Sequence, residues 1–121
     1  MPEIYIGTDL VSIMRIRSAI EKNKDRFLAR VFTQSEQEYC QSKADPAIHF
    51  AGRFAAKEAI IKALKSGGWD HPVAFNSISI DPMDSGVPIV SLNVAIKGDL
   101  RVSISHTDDQ ALAFAVFLPR E

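Results

Sequence analysis

The segment Phe50 to Leu64, FAGRFAAKEAIIKAL, restricts the fold more than any other part of the chain. At about 100° per residue, Phe50, Phe54, Ile60, Ile61 and Leu64 fall on one broad helical arc that must face a core. Arg53 and Lys57 lie inside that arc, and Glu58 and Lys62 sit one turn apart on its shoulder, among the small residues Ala51 and Ala55. Charges in or beside an apolar arc are costly unless something pairs them. In one reading Arg53 and Lys57 bury their stems and keep their heads wet, while Glu58 and Lys62 form an ordinary surface pair. In the other, a negatively charged ligand and a metal ion supply the missing partners.

Two further segments carry polar residues at strand ends. In Ile4 to Ile13, IYIGTDLVSI, the first residues read as a strand entering the core. Asp9 follows at its end, between apolar neighbours. It has two readings: an N-cap for a helix beginning near Ser12, or a ligand for a hard cation such as Mg²⁺. In Arg101 to Phe117, Val102 and Ile104 alternate with Ser103 and Ser105, and Ala111 to Phe117 returns as the second arm of a hairpin. His106 stands where strand meets turn.

The rest of the chain gives an order of elements. Thr33-Gln34-Ser35-Glu36 is a capping box, which predicts a short helix from about Ser35 to Ser42. Pro46 suits the first turn of the long helix, and Ser66-Gly67-Gly68 ends it. Ser77 to Asp81 and Pro88 to Val94 read as strands around the turn Asp84-Ser85-Gly86. The expected fold class is α+β: a mostly antiparallel sheet (residues 3–9, 74–81, 88–94, 100–106 and 111–118) packed on one long helix, 46–65, plus smaller helices.

With 121 residues, the chain makes one domain, 1–121. A net charge of −1 gives no global basic footprint for nucleic acid. No apolar run approaches a membrane span, and no secretory leader is visible at Met1. The single Cys40 excludes an internal disulfide, fits a reducing cytoplasm and reads as a small packing residue. Between Met14 and Phe32, six basic residues (Arg15, Arg17, Lys22, Lys24, Arg26 and Arg30) face only Glu21 and Asp25. That segment is either an amphipathic helix pair with a solvated face or a docking surface for an acidic partner.

Gly7-Thr8-Asp9, the run GRFAAKEAIIKAL from Gly52 and Ser103-Ile104-Ser105-His106 together resemble the holo-acyl-carrier-protein synthases, small bacterial members of the 4′-phosphopantetheinyl transferase superfamily. RFLARVFTQSE, Arg26 to Glu36, resembles a second block of that family. The likeness holds in order, spacing and length over nearly the whole chain. It implies transfer of the phosphopantetheine arm of coenzyme A to a serine of apo-acyl carrier protein, with adenosine 3′,5′-bisphosphate as the other product, in support of fatty-acid biosynthesis. By the same resemblance, Asp9 and Glu58 match Mg²⁺ ligands, and Lys62 matches the lysine at the reacting phosphate. Arg53, Gly86, Pro88, Ser105 and His106 match the coenzyme A site, while Lys57 lies in the motif without an assigned role. Arg15, Arg26 and Phe27 match positions that meet the carrier protein. The single repeat implies a homotrimer with sites shared between subunits. The chain departs from its relatives at Ser12, usually acidic and therefore a possible cause of weaker Mg²⁺ binding, and at Ser66-Gly67-Gly68, often G-T-G.

The implied chemistry suits these residue types. Attack on a diphosphate builds negative charge on oxygen, and catalysis of such transfers is mostly positioning and charge neutralisation. A cation held by Asp9 and Glu58 would orient the diphosphate, and Lys62 would add a mobile point charge. The serine proton has two candidate acceptors, Glu58 or a water on the metal. The residues alone also permit a non-enzymatic module for acidic helical proteins, or another Mg²⁺-dependent enzyme acting on a nucleotide diphosphate.

Overall fold

The computed structural model describes residues 3–120. Strand β1 (Tyr5–Ser12) leads into α1 (Ile13–Val31), α2 (Gln34–Gln41) and the long α3 (Pro46–Ser66). A single 3₁₀ turn, Phe75–Ser77, precedes β2 (Ile78–Pro82), β3 (Pro88–Leu92), β4 (Gly98–His106) and β5 (Gln110–Pro119). The α+β expectation holds, with the strands divided differently. They form not one sheet but two, an antiparallel three-stranded sheet in the order β1-β5-β4 and a separate β2-β3 hairpin. Alternation shows that a segment is a strand, but it does not choose the strand's partner.

Helix α3 is the centre of the molecule. It begins at Pro46, ends against Gly67, and buries residues on every side, including Phe50, Ala55, Ala56, Ala59 and Ile60. The inner face of the three-stranded sheet packs on it through Ala111, Ala113, Ala115 and Phe117. The other side is covered by Ile13, Ile16, Leu28, Val31 and Phe32 from α1 and its exit.

Two boundaries bear on the site. Strand β1 does not stop at Asp9 but stays paired with β5 to Ser12↔Gln110. Asp9 is therefore in mid-strand opposite Ala113, and the N-cap of α1 is Ser12, whose hydroxyl accepts from the Arg15 backbone N–H at 3.3 Å. This excludes the cap reading of Asp9. Residues three apart on a strand face opposite sides, so Ser12 does not share Asp9's face.

Strand β1 lies against α3 backbone to backbone. A Cβ at Gly7 would collide with Ala59 O and lie 2.7 Å from Ala63 N. Only glycine fits there. We expect Gly7→Ala to destabilise the protein by about 1–3 kcal/mol, the usual cost of overpacking, measured as a lower urea midpoint at an unchanged m-value.

Candidate active site

The close approach at Gly7 brings Asp9 to α3. Lys62 Nζ donates to Thr8 O at 3.0 Å and lies 3.4 Å from Asp9 Oδ1. That contact is longer than a tight charge-assisted bond, usually about 2.7–2.9 Å, so the Asp9 carboxylate keeps most of its acceptor capacity. Glu58 is one turn back on the same helix face. Among the described residues no hydrogen bond or ion pair engages its carboxylate. Lys62 is half exposed and edges an open groove of ≈ 580 Å³ with Gly7, Thr8, Lys65 and Ser66.

The donor set fits Mg²⁺. It is all oxygen, with two under-used carboxylates, and the described residues contain no cluster of three or more His, Cys, Asp or Glu side chains. Mg²⁺ is usually held by one or two carboxylates and completed by water and substrate phosphate. Asp9 and Glu58 would hold it.

Neither reading of the helix charges holds for Lys57, which needs neither ligand nor metal. It is completely buried and does not snorkel. Its ammonium lies 2.6 Å from Glu36 Oε1 and donates also to Val31 O, Ile78 O and Phe75 O at 2.7, 2.7 and 3.0 Å. Burial lowers the Lys57 pKa, and the neighbouring Glu36 opposes that shift. Glu36 also completes the expected capping box on Thr33 and accepts from Ile80 N at 2.8 Å. Sequence reading found the cap and missed the ion pair, which spans 21 positions.

A second group surrounds Tyr39. The guanidinium of Arg53 lies 4.4 Å from the centre of its ring and the ammonium of Lys43 lies 4.5 Å from it, while His49 meets it edge-on at 5.9 Å. Arg53 is buried, and its Nε has no acceptor among the described residues. Ile104 packs over Gly52, so β4 carries His106 toward this end of α3, close enough for its charge to act on His49. Tyr39, Lys43 and His49 were not singled out from the sequence. The available signal was an aromatic, Tyr39 on α2, four residues before Lys43 just past its end.

The remaining predicted residues lie elsewhere. Ser105 is on the outer sheet face, opposite Leu112. Gly86 and Pro88 belong to the tip of the β2-β3 hairpin, where Gly86 adopts φ +90°. Arg15 is exposed on the first turn of α1 beside Met14, while Arg26 and Phe27 lie beyond a break at Asn23 (φ −146°, ψ 58°). Phe27 is half-buried, edge-on to Phe32. Arg17 is held by both Asp45 oxygens at 3.1 Å.

The family model described as ACPS, the 4′-phosphopantetheinyl transferase superfamily, matches residues 5–115. The chain is 43% identical over 117 residues to the holo-[acyl-carrier-protein] synthase of Protochlamydia amoebophila, covering 93% of this chain and 95% of that one. The chain belongs to this family. The structure agrees: the Chronobacterium ammoniagenes ACPS-CoA complex superposes with a TM-score of 0.85 at 28% identity, covering 98% of this chain and 99% of that one. The Helicobacter pylori holo-[acyl-carrier-protein] synthase in complex with coenzyme A gives 0.80 at 35%, covering 93% and 98%. As a member of the holo-acyl-carrier-protein synthase family, the chain is an enzyme, a 4′-phosphopantetheinyl transferase.

His49 gives this region a pH signature. Burial holds its pKa below the usual 6.5, and Arg53, Lys43 and His106 push the same way, against the opposing pull of Asp45. As pH falls, the unfolded chain takes this proton first. The stability linked to neutral His49 is therefore complete above pH 6.5 and declines as pH drops below it. His49→Phe is expected to flatten that part of the profile, read as melting temperature between about pH 5 and 8, the range in which histidine titrates.

Proposed function

We propose that the chain transfers the 4′-phosphopantetheine group of coenzyme A to a serine of apo-acyl carrier protein. The products are holo-acyl carrier protein and adenosine 3′,5′-bisphosphate, and the reaction runs in the cytoplasm in support of fatty-acid biosynthesis. The observation that carries this reading is the contact of Lys62 on α3 with Asp9 on β1 at the edge of an open groove, with Glu58 one turn before Lys62 on the same helix face.

Asp9 and Glu58 would hold Mg²⁺, which would supply divalent charge to a diphosphate. Lys62 is tethered through Thr8 O, so its charge is already in place before substrate arrives. Such preorganised charge neutralises the oxygens that become more negative during transfer. Arg53, with a free Nε, and His106 would take a further phosphate of coenzyme A, and the Gly86–Pro88 turn and Ser105 would line its path. Arg15, Arg26 and Phe27 would meet the acidic carrier protein. Arg17 is committed to Asp45 and is not counted with them.

A homotrimer is part of the same proposal. The outer face of β1 and β5 exposes Ile6, Leu10, Leu112 and Phe114 by 41–57% each, a contiguous apolar surface on paired strands. Such patches mark association surfaces. The coenzyme-site residues also fall into separate groups within one chain, and a neighbouring copy would complete each site.

Intact-protein mass spectrometry of apo-carrier protein, coenzyme A and Mg²⁺ tests the reaction. The carrier is expected to gain one phosphopantetheine, EDTA to abolish the gain, and Glu58→Gln to lower the rate by about 100-fold or more, the scale of losing an electrostatic contact to the transition state. A full rate with Glu58→Gln would reject the metal-ligand assignment. In the same assay Arg15→Glu is expected to raise the KM for carrier protein and leave that for coenzyme A unchanged; an unaltered carrier KM removes the docking assignment. Sedimentation equilibrium should give three times the chain mass for the wild type and less for Phe114→Glu. A monomeric wild type rejects the trimer.

A further inference from the structure

Helix α3 needs something to fix its rotation. An amphipathic helix finds its orientation by burying one apolar stripe. In α3, Phe50, Ala51, Ala55, Ala56, Ala59 and Ile60 are all buried, and at about 100° per residue they cover most of the circumference, leaving a narrow, partly exposed stripe through Glu58, Lys62 and Lys65. Hydrophobic burial alone therefore discriminates weakly between rotations of this helix.

The buried Lys57 supplies what the apolar residues do not. Its three N–H groups meet four acceptors from α1, α2, the 3₁₀ turn and β2. Its partner Glu36 is itself fixed by Thr33 N and Ile80 N. A rotated α3 would strand a buried charge among carbonyls, an outcome far more costly than shifting an alanine. Glu58 is the next residue along, about 100° round the axis. A rotation of only about 10° moves a carboxylate 5–6 Å from the axis by about 1 Å. Misplacement on that scale can cost a reaction about a hundredfold.

We propose that the Lys57–Glu36 pair is a positioning element for the transfer site, holding α3 in the one rotation that presents Glu58 to the side where Asp9 and Lys62 meet. Neither residue touches substrate, and both act through Glu58. The inference rests on the metal-site reading above.

The test is Glu36→Gln, which keeps the side-chain length and the oxygen that accepts from Thr33 N and Lys57 Nζ, removes the charge, and replaces the acceptor of Ile80 N with an amide N–H. Mn²⁺ is the probe because it takes the same kind of oxygen ligands as Mg²⁺. Its binding to the whole protein is read by electron paramagnetic resonance without coenzyme A or carrier. The expected result is Mn²⁺ binding at least tenfold weaker in a protein with native near-UV circular dichroism. Leu100→Ala, a core truncation in β4, is expected to lose stability and bind Mn²⁺ like the wild type. Lys57→Arg, which keeps the charge but displaces it, carries the same expectation as Glu36→Gln and replaces it should that variant fail to fold. Wild-type affinity in a folded Glu36→Gln protein overturns the proposal. So does an equal loss in Leu100→Ala, which assigns the effect to general destabilisation. A wild type that binds no Mn²⁺ overturns the metal reading itself.

Discussion

The contact of β1 with α3 at Gly7 sets the distance on which the candidate site depends. Asp9 belongs to a strand and Lys62 to a helix, and their side chains meet because the two backbones touch. The strand is held from its other side by eight residue pairs with β5, and the helix is buried over most of its surface. Each partner is therefore rigid on its own account, and the glycine determines how closely they approach. A site assembled this way is positioned by regular elements rather than by loops, which favours precise geometry.

Charged residues close together on α3 have different fates because the helix turns. Lys57 points into the interior and is consumed by structure, Glu58 is half-buried with no hydrogen bond to its carboxylate among the described residues, and Lys62 returns to Glu58's face one turn later. Composition counts these as similar residues, but their surroundings make one an internal fastener and the others candidate chemistry. Arg53 lies one turn before Lys57 on the same face. Its stem is buried and its head rests on an aromatic ring.

What could be read from the sequence follows the range of the interaction. The capping box on Thr33, proline at the start of α3, the glycines after it and the hairpin turns are all signals spanning a few residues, and each matched the structure. Of the residues matched to a motif, Asp9 and Lys62 lie in contact across β1 and α3. The partner of Lys57 was hidden because Glu36 already had a local explanation and the second one lies 21 positions away. The end of β1 was misplaced for a similar reason. Its last turn of pairing is with Gln110, and nothing near Asp9 announces that partner. Division of the strands into two sheets was equally non-local. β2 with β3 and β4 with β5 are neighbours along the chain, whereas β1 joins the last strand across the whole sequence.

Cys40 is fully enclosed between α2 and the core, and burial pushes its thiol up to about 12. The thiolate is the reactive form, so near neutral pH this sulfur is both out of reach and protonated. A cysteine introduced on the surface could then be alkylated or spin-labelled selectively in the folded protein, with Cys40 left in place. The native thiol would react only on unfolding, which makes its alkylation a built-in reporter of global opening.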